Sequence, residues 1–254
     1  MSAPVFLAGP GTLDGIEVGH TYLLDGTEGR HAGVVQRRSP GERIDVVDGA
    51  GLRLRTTIEG VTADGLVLRV VERELEPAPE PSLVLVQALA KGDRDELAVE
   101  AATELGVDGV VPWQAERSIV VWRGSRAAKS QARWRATVRS AVKQSRRARK
   151  PEVADAVDSA GLAARVAATV AAGGAALVLH ESASEPIGGV LDAVGAARGE
   201  VLVVVGPEGG ISDRELESLT AAGAVCVRLG PHVLRTSTAG PVALALLNHH
   251  LSRW

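Results

Sequence analysis

Two loops near the carboxyl terminus have the residue types of a ligand-binding site. The apolar run 201–205 leads into Gly-Pro-Glu-Gly-Gly at 206–210, and the run 224–229 leads into Gly-Pro-His-Val-Leu-Arg-Thr at 230–236. Glycines leave main-chain N–H and C=O groups open to a ligand because they have no Cβ atom, and prolines hold a loop in one shape. The two loops therefore predict a pocket for a flat, polar molecule.

The residues after the first loop predict a helix. Ser212 and Glu215 match a capping box, so a helix is expected from about Asp213 to Ala222, ending at Gly223. After the second loop, a terminal helix is expected to begin at Ser237 or Thr238 as N-cap, with Pro241 in its first turn.

Further strands are predicted at 83–88, 108–112 and 175–180, and they alternate with helical segments. This alternation is typical of a mostly parallel sheet. In such a sheet, ligands bind beyond the carboxyl ends of the strands, which is where both loops are expected. The two loops should therefore form one pocket.

The chain lacks the motifs of three common classes of site. No G-x-G-x-x-G follows a strand, and neither G-x-x-x-x-G-K-[ST] nor G-x-S-x-G occurs. Dinucleotide-binding, P-loop and serine-hydrolase sites therefore have no support from sequence.

The motifs of the carboxy-terminal half resemble those of a known family. GPEGG at 206–210, LGPHVLRTSTA at 229–239 and Leu-His-Glu at 179–181 are similar to the ribosomal RNA small subunit methyltransferase E family. That family belongs to the knotted, S-adenosylmethionine-dependent SPOUT class. The resemblance extends upstream to 91–94 (Lys-Gly-Asp-Arg), 102–107, 116–118 and the regions of Gly49 and His31.

Two positions depart from the family pattern. Ser237 stands where the family often has Glu in its L-R-x-E-T-A run, and the basic residue usual near the amino terminus is absent around Phe6. A role for a carboxylate at position 237 is therefore not expected in this chain.

The resemblance implies a fold and an activity. It implies a SPOUT-type, mostly parallel α/β sheet with a carboxy-terminal trefoil knot, preceded by a small PUA-like β-barrel, in a homodimer with the pocket near its two-fold interface. It also implies methylation of uracil N3 in 16S ribosomal RNA of the small subunit, with S-adenosylmethionine as cofactor. The residues expected to bind the cofactor are Leu179, His180, Glu181, Gly206, Pro207, Glu208, Gly209, Leu229, Gly230, Val233 and Leu234.

Methylation at uracil N3 places a chemical demand on the pocket. N3 carries a proton and is a poor nucleophile until that proton is lost, so the site must stabilise the resulting anion. Arg235 is the candidate catalytic residue because its guanidinium can stabilise charge spread over the base oxygens; the alternative is that it binds phosphate or caps a helix. His232 and Glu208 are candidates for a general base, or only orient the cofactor or loop.

A basic segment predicts contact with RNA. Between Glu116 and Glu152 there are twelve Lys and Arg residues and no acidic residue, although the net charge of the chain is −3. Residues 127–148 contain neither Gly nor Pro, which favours a helix with a phosphate-binding face; the alternative is a solvated helix. The candidate RNA-binding residues of this segment are Arg117, Arg126, Arg133, Arg139 and Arg146.

The amino-terminal part predicts a separate β domain. Apolar residues alternate with polar ones at 52–59, and Asp-Gly turns at 48–49 and 64–65 separate short apolar runs. From this pattern we expect a small β-rich barrel at 1–76, a Pro-rich linker at 77–82 and a second domain at 83–254. The family resemblance implies that the first is PUA-like and binds RNA and that the second is the methyltransferase domain. In the barrel, His31, Arg37 and Arg38 are candidates for RNA contact, or form a polar turn before a strand.

Composition sets the outer limits. The 254 residues contain 45% apolar residues, with no signal peptide or long apolar span, so a cytoplasmic protein without membrane contact is expected. The single cysteine, Cys226, lies in an apolar run and is expected in the core. No Cys/His cluster has zinc spacing, so no metal is expected.

Three alternatives to uracil-N3 methylation remain at this point. The first is a related methyltransferase that acts on a ribose 2′-oxygen or on transfer RNA. The second is a non-enzymatic RNA-binding or ribosome-assembly module. The third is an unrelated α/β enzyme with an anion site at 206–210.

Overall fold

The protein is described by a computed structural model that covers residues 3–254; Met1 and Ser2, in the predicted first domain, lie outside the described residues. Contacts divide the chain into two compact units. Residues 3–78 and Val142–Lys150 form the first, and Pro79–Ala141 and Pro151–Trp254 form the second. Nothing in the sequence pattern indicates that Val142–Lys150 groups with the amino-terminal residues. The boundaries predicted around 77–82 stay a prediction.

The first unit consists mainly of strands. Its elements are β1 (Val5–Leu7), β2 (Thr21–Leu24), α1 (Gly26–Arg30), a π-helical turn (His31–Val35), β3 (Arg43–Val47), β4 (Leu52–Val61) and β5 (Leu66–Leu75). The five strands form one sheet in the order β1-β3-β4-β5-β2, with β1 parallel to β3 and the other pairs antiparallel. The predicted apolar alternation in β4 places Leu54 and Ile58 in the core together with Phe6, Ile44 and Leu66.

Arg53 differs from the expected alternation, because it is buried although its neighbours in sequence are apolar core residues. Its guanidinium donates to Asp45 at 3.0 Å, to Glu76 at 2.9 Å and to the carbonyl oxygen of Arg146 at 2.8 Å. These partners compensate the burial of the charge. Arg53 thus joins β3, the residue that follows β5 and the segment 142–150 within the first unit.

The second unit alternates strands and helices, as predicted. Its elements are β6 (Ser82–Ala88), α2 (Arg94–Glu104), β7 (Gly109–Gln114), α3 (Ser125–Ser145), β8 (Glu152–Val153), β9 (Val157–Asp158), α4 (Ser159–Ala171), β10 (Ala175–Leu179), a 3₁₀ turn (Ile187–Gly189), α5 (Leu191–Gly195), β11 (Glu200–Val205), α6 (Asp213–Ala221), β12 (Val225–Val227) and α7 (Thr236–His250). The last turn of α3 belongs to the first unit. No helix within residues 3–254 is both long enough and apolar enough to cross a membrane.

The sheet of the second unit is parallel throughout. Its strand order is β12-β10-β11-β6-β7-β8, and β9 also pairs with β7. One core cluster includes Val86, Val178, Val204 and the fully buried Trp113. Cys226 is partly buried and packs against the edge of this cluster, and burial raises the pKa of its thiol, which agrees with a packing role for the residue.

The helix α3 ends earlier than the predicted Ala148. Arg146 has a positive φ of 60°, and the N–H of Arg147 bonds to the carbonyl of Val142, as in a Schellman motif. Arg146 therefore does not lie on the helix face to which the sequence analysis assigned it. The buried face of α3 holds Trp134 and Val138.

The terminal helix α7 begins earlier than predicted. Its N-cap is Arg235, whose side chain makes no capping hydrogen bond, and not Ser237 or Thr238. The hydroxyl of Thr236 instead bonds to the carbonyl of Gly206. Because of this start, Pro241 lies in the second turn and not the first.

The predicted capping box at α6 is confirmed, and its carboxylate has further partners. Glu215 is 2% exposed. Its Oε2 accepts from the N–H of Ser212 at 3.0 Å, and its Oε1 accepts from the N–H of Glu116 at 2.8 Å and the hydroxyl of Ser159 at 2.6 Å. One buried carboxylate thus links the start of α6, the end of β7 and the start of α4.

Glu215→Gln should lower the free energy of unfolding of the second unit by about 1–3 kcal/mol. The amide has the shape of the carboxylate, but one of its ends donates and cannot satisfy the buried N–H donor that it faces. The measurement is thermal and urea unfolding. Glu217→Gln removes the same charge from an exposed position of α6 and should change stability little. Equal stability of the two variants would mean that the hydrogen bonds accepted by Glu215 contribute nothing to stability beyond its charge.

Candidate functional site

The strands that precede the predicted binding loops end at one edge of the parallel sheet. Leu179 at the end of β10 pairs with Val205 of β11 on one side and with Val227 of β12 on the other. Val205 also pairs with Gln87 of β6. The loops that follow β10, β11 and β12 therefore open side by side, as the sequence predicted.

These loops enclose a cavity of about 350 Å³, next to a smaller one of about 100 Å³. The predicted catalytic residue Arg235 lines the larger cavity. Every predicted cofactor residue except Gly209 lies in the wall of one cavity or both: Leu179, His180, Glu181, Gly206, Pro207, Glu208, Leu229, Gly230, Val233 and Leu234.

Close packing and backbone conformation inside the protein favour glycine in the 206–210 loop. A Cβ atom at Gly206 would lie 2.6 Å from Cγ1 of Ile211, and one at Gly209 would lie 3.2 Å from the carbonyl oxygen of Arg117. Gly210 has a positive φ of 74°. A side chain at position 209 would therefore point at Arg117, and the predicted contact of the Gly209 backbone with the cofactor stays a prediction.

Glu208 is held by a neighbouring loop. Its Oε1 accepts from the N–H of Lys91 at 3.1 Å and from the guanidinium of Arg94, also at 3.1 Å. Arg94 is the first residue of α2 and lines the larger cavity. The Lys-Gly-Asp-Arg motif at 91–94 is thus fixed to the glycine-rich loop by this carboxylate.

Arg117, a predicted RNA-binding residue, contacts the same loop from the other side. Its Nη1 donates to the carbonyl oxygens of Gly209 at 3.3 Å and Ile211 at 3.4 Å. The preceding residue, Glu116, accepts from the hydroxyl of Ser212 and from Arg214, and these hydrogen bonds lower the pKa of its carboxyl. The Glu-Arg-Ser motif at 116–118 therefore supports the cavity wall.

Arg235 is exposed and stands at the entry to α7. Among residues 3–254, no hydrogen bond or ion pair involves its guanidinium, which differs from the alternative in which it caps a helix. The next residue, Thr236, is buried and bonds to the Gly206 carbonyl at 2.7 Å. The cavity thus contains a cationic side chain whose backbone is anchored.

The histidines of the site differ in their surroundings. His180 follows β10, and its Nδ1 accepts from the N–H of Ser182 at 3.3 Å. His232 is exposed and lines the smaller cavity. The wall between them includes Val233, which is 77% exposed although it is apolar.

The predicted RNA-binding residues of α3 lie on its solvent side, but they are not equivalent. Arg133 forms ion pairs with Asp93 at 3.2 Å and Glu96 at 2.6 Å, and Glu96 raises the pKa of Arg133. The segment lacks acidic residues in sequence, but acids from α2 and the residue before it compensate this charge in space. Arg126 and Arg139 are exposed. Within the described chain no ion pair involves Arg126.

The predicted RNA-binding residues of the first unit have local partners. His31 begins the π-helical turn, and its Nε2 lies 3.0 Å from Nε2 of Gln36. Arg37 is exposed with a positive φ of 53°, and Arg38 pairs with Glu42 at 2.9 Å. Arg38 and Arg146 line an open groove of about 830 Å³ on this unit.

Comparison with known proteins identifies the family. The model of the RNA methyltransferase domain family matches residues 77–248. The ribosomal RNA small subunit methyltransferase E of Mycobacterium bovis is 49% identical over 238 residues, which cover 94% of this chain and 90% of that protein. The chain belongs to the ribosomal RNA small subunit methyltransferase E family. The predicted membership is thereby confirmed.

Other members of the family are similar over nearly the whole chain. The Bacillus subtilis protein of this name is 31% identical over 245 residues, an alignment that covers 94% of this chain and 93% of that protein. The crystal structure of the Neisseria gonorrhoeae family member has S-adenosylmethionine bound; it matches with a TM-score of 0.83, 27% identity and 98% coverage of each chain.

Six residues that line the larger cavity were not predicted as site residues: Arg94, Val205, Gly210, Ile211, Thr236 and Ala239. Val205 and Gly210 lie at the two ends of the predicted glycine-rich loop. Arg94 and Thr236 lie inside motifs that carried the resemblance to the ribosomal RNA small subunit methyltransferase E family, so their position in the motifs was the available signal. Ile211 and Ala239 are apolar, and nothing in sequence separates an apolar wall residue from a core residue.

Proposed function

We propose that the protein transfers a methyl group from S-adenosylmethionine to N3 of a uracil in 16S ribosomal RNA of the small subunit. The observation that carries this proposal is the cavity at the sheet edge, lined by the motifs of the family and by Arg235. Family membership supports the substrate class. The bound ligand of the Neisseria gonorrhoeae relative supports the choice of cofactor.

The cavity suits a cofactor of this kind. Its volume of about 350 Å³ falls within the range of small-molecule sites, and its walls combine apolar side chains with loop backbone. S-adenosylmethionine would supply an electrophilic methyl group on a cationic sulfur. In the proposal, the backbone and side chains at 179–181, 206–209 and 229–234 hold it, and Gly209 also packs on Arg117.

Arg235 is proposed to stabilise the uracil anion. The N3–H bond must break, and its proton must leave to solvent or a base. The N3 lone pair would then form the bond to the methyl group as the bond from that methyl group to the donor's sulfur breaks, with its electron pair returning to the sulfur. The guanidinium of Arg235 is exposed in the cavity and has no protein partner among residues 3–254, so it is available to the base oxygens.

The two candidate bases differ in their freedom to act. Glu208 already accepts two hydrogen bonds at Oε1, one of them from Arg94. This supports a role in holding the loop. His232 is exposed at the smaller cavity and is the better candidate to accept the N3 proton.

RNA is proposed to contact both compact units, each through its own residues. In the second unit Arg126 and Lys129 are exposed on α3, and Arg117, Arg133 and Arg139 extend the same basic segment. In the first unit, a PUA-like barrel in the proposal, the contacts would come from His31, Arg37, Arg38 and Arg146. Since Arg133 is already paired with acids, Arg126 and Lys129 should contribute more to phosphate binding.

The assembly belongs to the same proposal. By likeness to the SPOUT class, the chain forms a homodimer with a carboxy-terminal trefoil knot, and it acts in the cytoplasm where small subunits are made. The parallel order of β6, β11, β10 and β12 is compatible with such a knot.

The decisive experiment is methylation of purified small subunits that lack this modification, with methyl-labelled S-adenosylmethionine. We expect label in 16S RNA and 3-methyluridine in its nucleoside digest by mass spectrometry. A 2′-O-methylnucleoside, or label in transfer RNA only, would replace the proposed substrate by the first alternative. Absence of cofactor binding by calorimetry would indicate a non-enzymatic module.

Arg235→Lys should reduce the single-turnover methylation rate by about a hundredfold, with little change in cofactor affinity. A point charge cannot reproduce the planar, forked donor geometry of a guanidinium. Arg198→Lys, the same change in the turn before β11 at the opposite edge of the sheet, is the control. If Arg235→Lys weakens RNA binding but methylates normally at saturation, Arg235 binds phosphate and does not stabilise the anion.

Replacing Arg126 and Lys129 together by Gln should lower RNA affinity and reduce the slope of log affinity against log salt by about two. Each residue is expected to neutralise one phosphate. The double variant Arg165→Gln/Arg198→Gln removes two charges elsewhere and should keep the slope; Arg165 is already paired with Glu200. Equal slopes in both variants would show that net charge, and not the α3 surface, controls binding.

A further inference from the structure

Gln87 is a fully buried polar residue that the proposed chemistry does not use. It lies near the carboxyl end of β6, is 0% exposed, and pairs in register with Val205 of β11 and Pro112 of β7. A buried amide without good partners is destabilising. An apolar residue would be the ordinary choice between two such strands.

The hydrogen bonds of Gln87 lead to the cavity. Its Nε2 lies 2.9 Å from Oγ1 of Thr236, and Oγ1 lies 2.7 Å from the carbonyl oxygen of Gly206. A carbonyl can only accept, so the single hydroxyl proton of Thr236 must point to Gly206. Thr236 must then accept, and Gln87 must donate. The Gly206 carbonyl therefore determines which atom donates and which accepts in both hydrogen bonds.

This orientation leaves Gln87 with an unsatisfied atom. Its Oε1 is buried and has no hydrogen-bond partner within residues 3–254. Its Nε2 also donates to the carbonyl of its neighbour Ala88 at 3.2 Å. An unsatisfied buried acceptor is unfavourable, so the position is not optimised for stability alone.

The two hydrogen bonds, from Gln87 to Thr236 and from Thr236 to Gly206, form a relay that joins three elements of the site. Gln87 belongs to β6, Gly206 is the first residue after β11, and Thr236 is the first residue of α7, directly after Arg235. α7 also approaches the sheet closely at Gly240, where a Cβ atom would lie 2.8 Å from Leu85 Cδ1. The start of α7 is therefore pinned by a hydrogen bond at Thr236 and by close packing one turn later.

We propose that Gln87 and Thr236 are positioning residues for methyl transfer. They hold the backbone of Arg235 in register with the Gly206 loop, so that the guanidinium and the methyl donor meet the same base. The inference rests on the proposed function, because it assumes that Arg235 acts on the substrate. Misplacement of a catalytic group by about 1 Å can reduce a rate by about a hundredfold.

The test compares two variants of similar size, Thr236→Val and Thr236→Ser. Valine keeps the shape but removes the hydroxyl, and serine keeps the hydroxyl. At saturating cofactor and RNA, Thr236→Val should lower the single-turnover rate by about tenfold or more, whereas Thr236→Ser should stay within about threefold of the native rate. Equal rates for Thr236→Val and the native protein would overturn the proposal.

A second variant separates positioning from stability. Gln87→Met has nearly the shape of glutamine and removes the unsatisfied oxygen, so its melting temperature should not fall. Its rate should nevertheless fall, because Thr236 loses its donor. A lower melting temperature with an unchanged rate at saturation would assign Gln87 a structural role only, and it would overturn the proposal even if Thr236→Val does not fold.

A double-mutant cycle shows whether the relay acts through Arg235. If it does, adding Thr236→Val to Arg235→Lys should cost little further rate; two independent defects would multiply and contradict the proposal.

If the native protein makes no methylated uracil in this assay, the proposed function fails by itself. The relay is then judged by cofactor affinity, which Thr236→Val should weaken and Thr236→Ser should retain, since the Gly206 loop borders the cavity in either case.

Discussion

Parallel pairing of β12, β10, β11 and β6 is the constraint on which the cavity depends. Because these strands run in one direction, each of them delivers its following loop to the same edge of the sheet. Antiparallel pairing at any one position would move a loop to the opposite edge. The register Leu179–Val205–Gln87 aligns the starting points of the loops that follow β10, β11 and β6.

Given that alignment, the loops are fixed by a small number of polar contacts from outside the glycine-rich motif. Glu208 accepts a hydrogen bond from the loop before α2, Arg117 donates to two carbonyls of the 206–210 segment and its neighbour, and the Thr236 hydroxyl donates to the carbonyl of Gly206. Glu215 in turn fixes the residue before Arg117. The loop is thus held on three sides, which is consistent with a site that is organised before a ligand arrives.

The sequence predicted those features that depend on neighbours in the chain. The capping box of α6, the alternation of strands and helices, and the pairing of two loops follow from local residue patterns, and the structure confirms them. What it could not show are partners that only folding brings together. Nothing in the basic segment between Glu116 and Glu152 indicates that Glu96 lies beside Arg133. In the same way, nothing in the sequence of β4 indicates that Arg53 is buried against Asp45 of β3. The start of α7 also differs from the prediction: its N-cap is Arg235 and not Ser237 or Thr238, and the hydroxyl of the next residue, Thr236, bonds to the Gly206 carbonyl of a loop distant in sequence.

The strand order also sets a sequence of events during synthesis. β6 pairs with β7, which follows soon after it, but its other neighbour is β11, and Ser82 there lies opposite Glu200. Until β11 has left the ribosome, one edge of the apolar strand β6 has no partner. Pairing between residues so distant in the chain is slow, and an open strand edge invites association with other chains. Nascent protein should therefore depend on chaperones most strongly while the segment between β7 and β11 is being made.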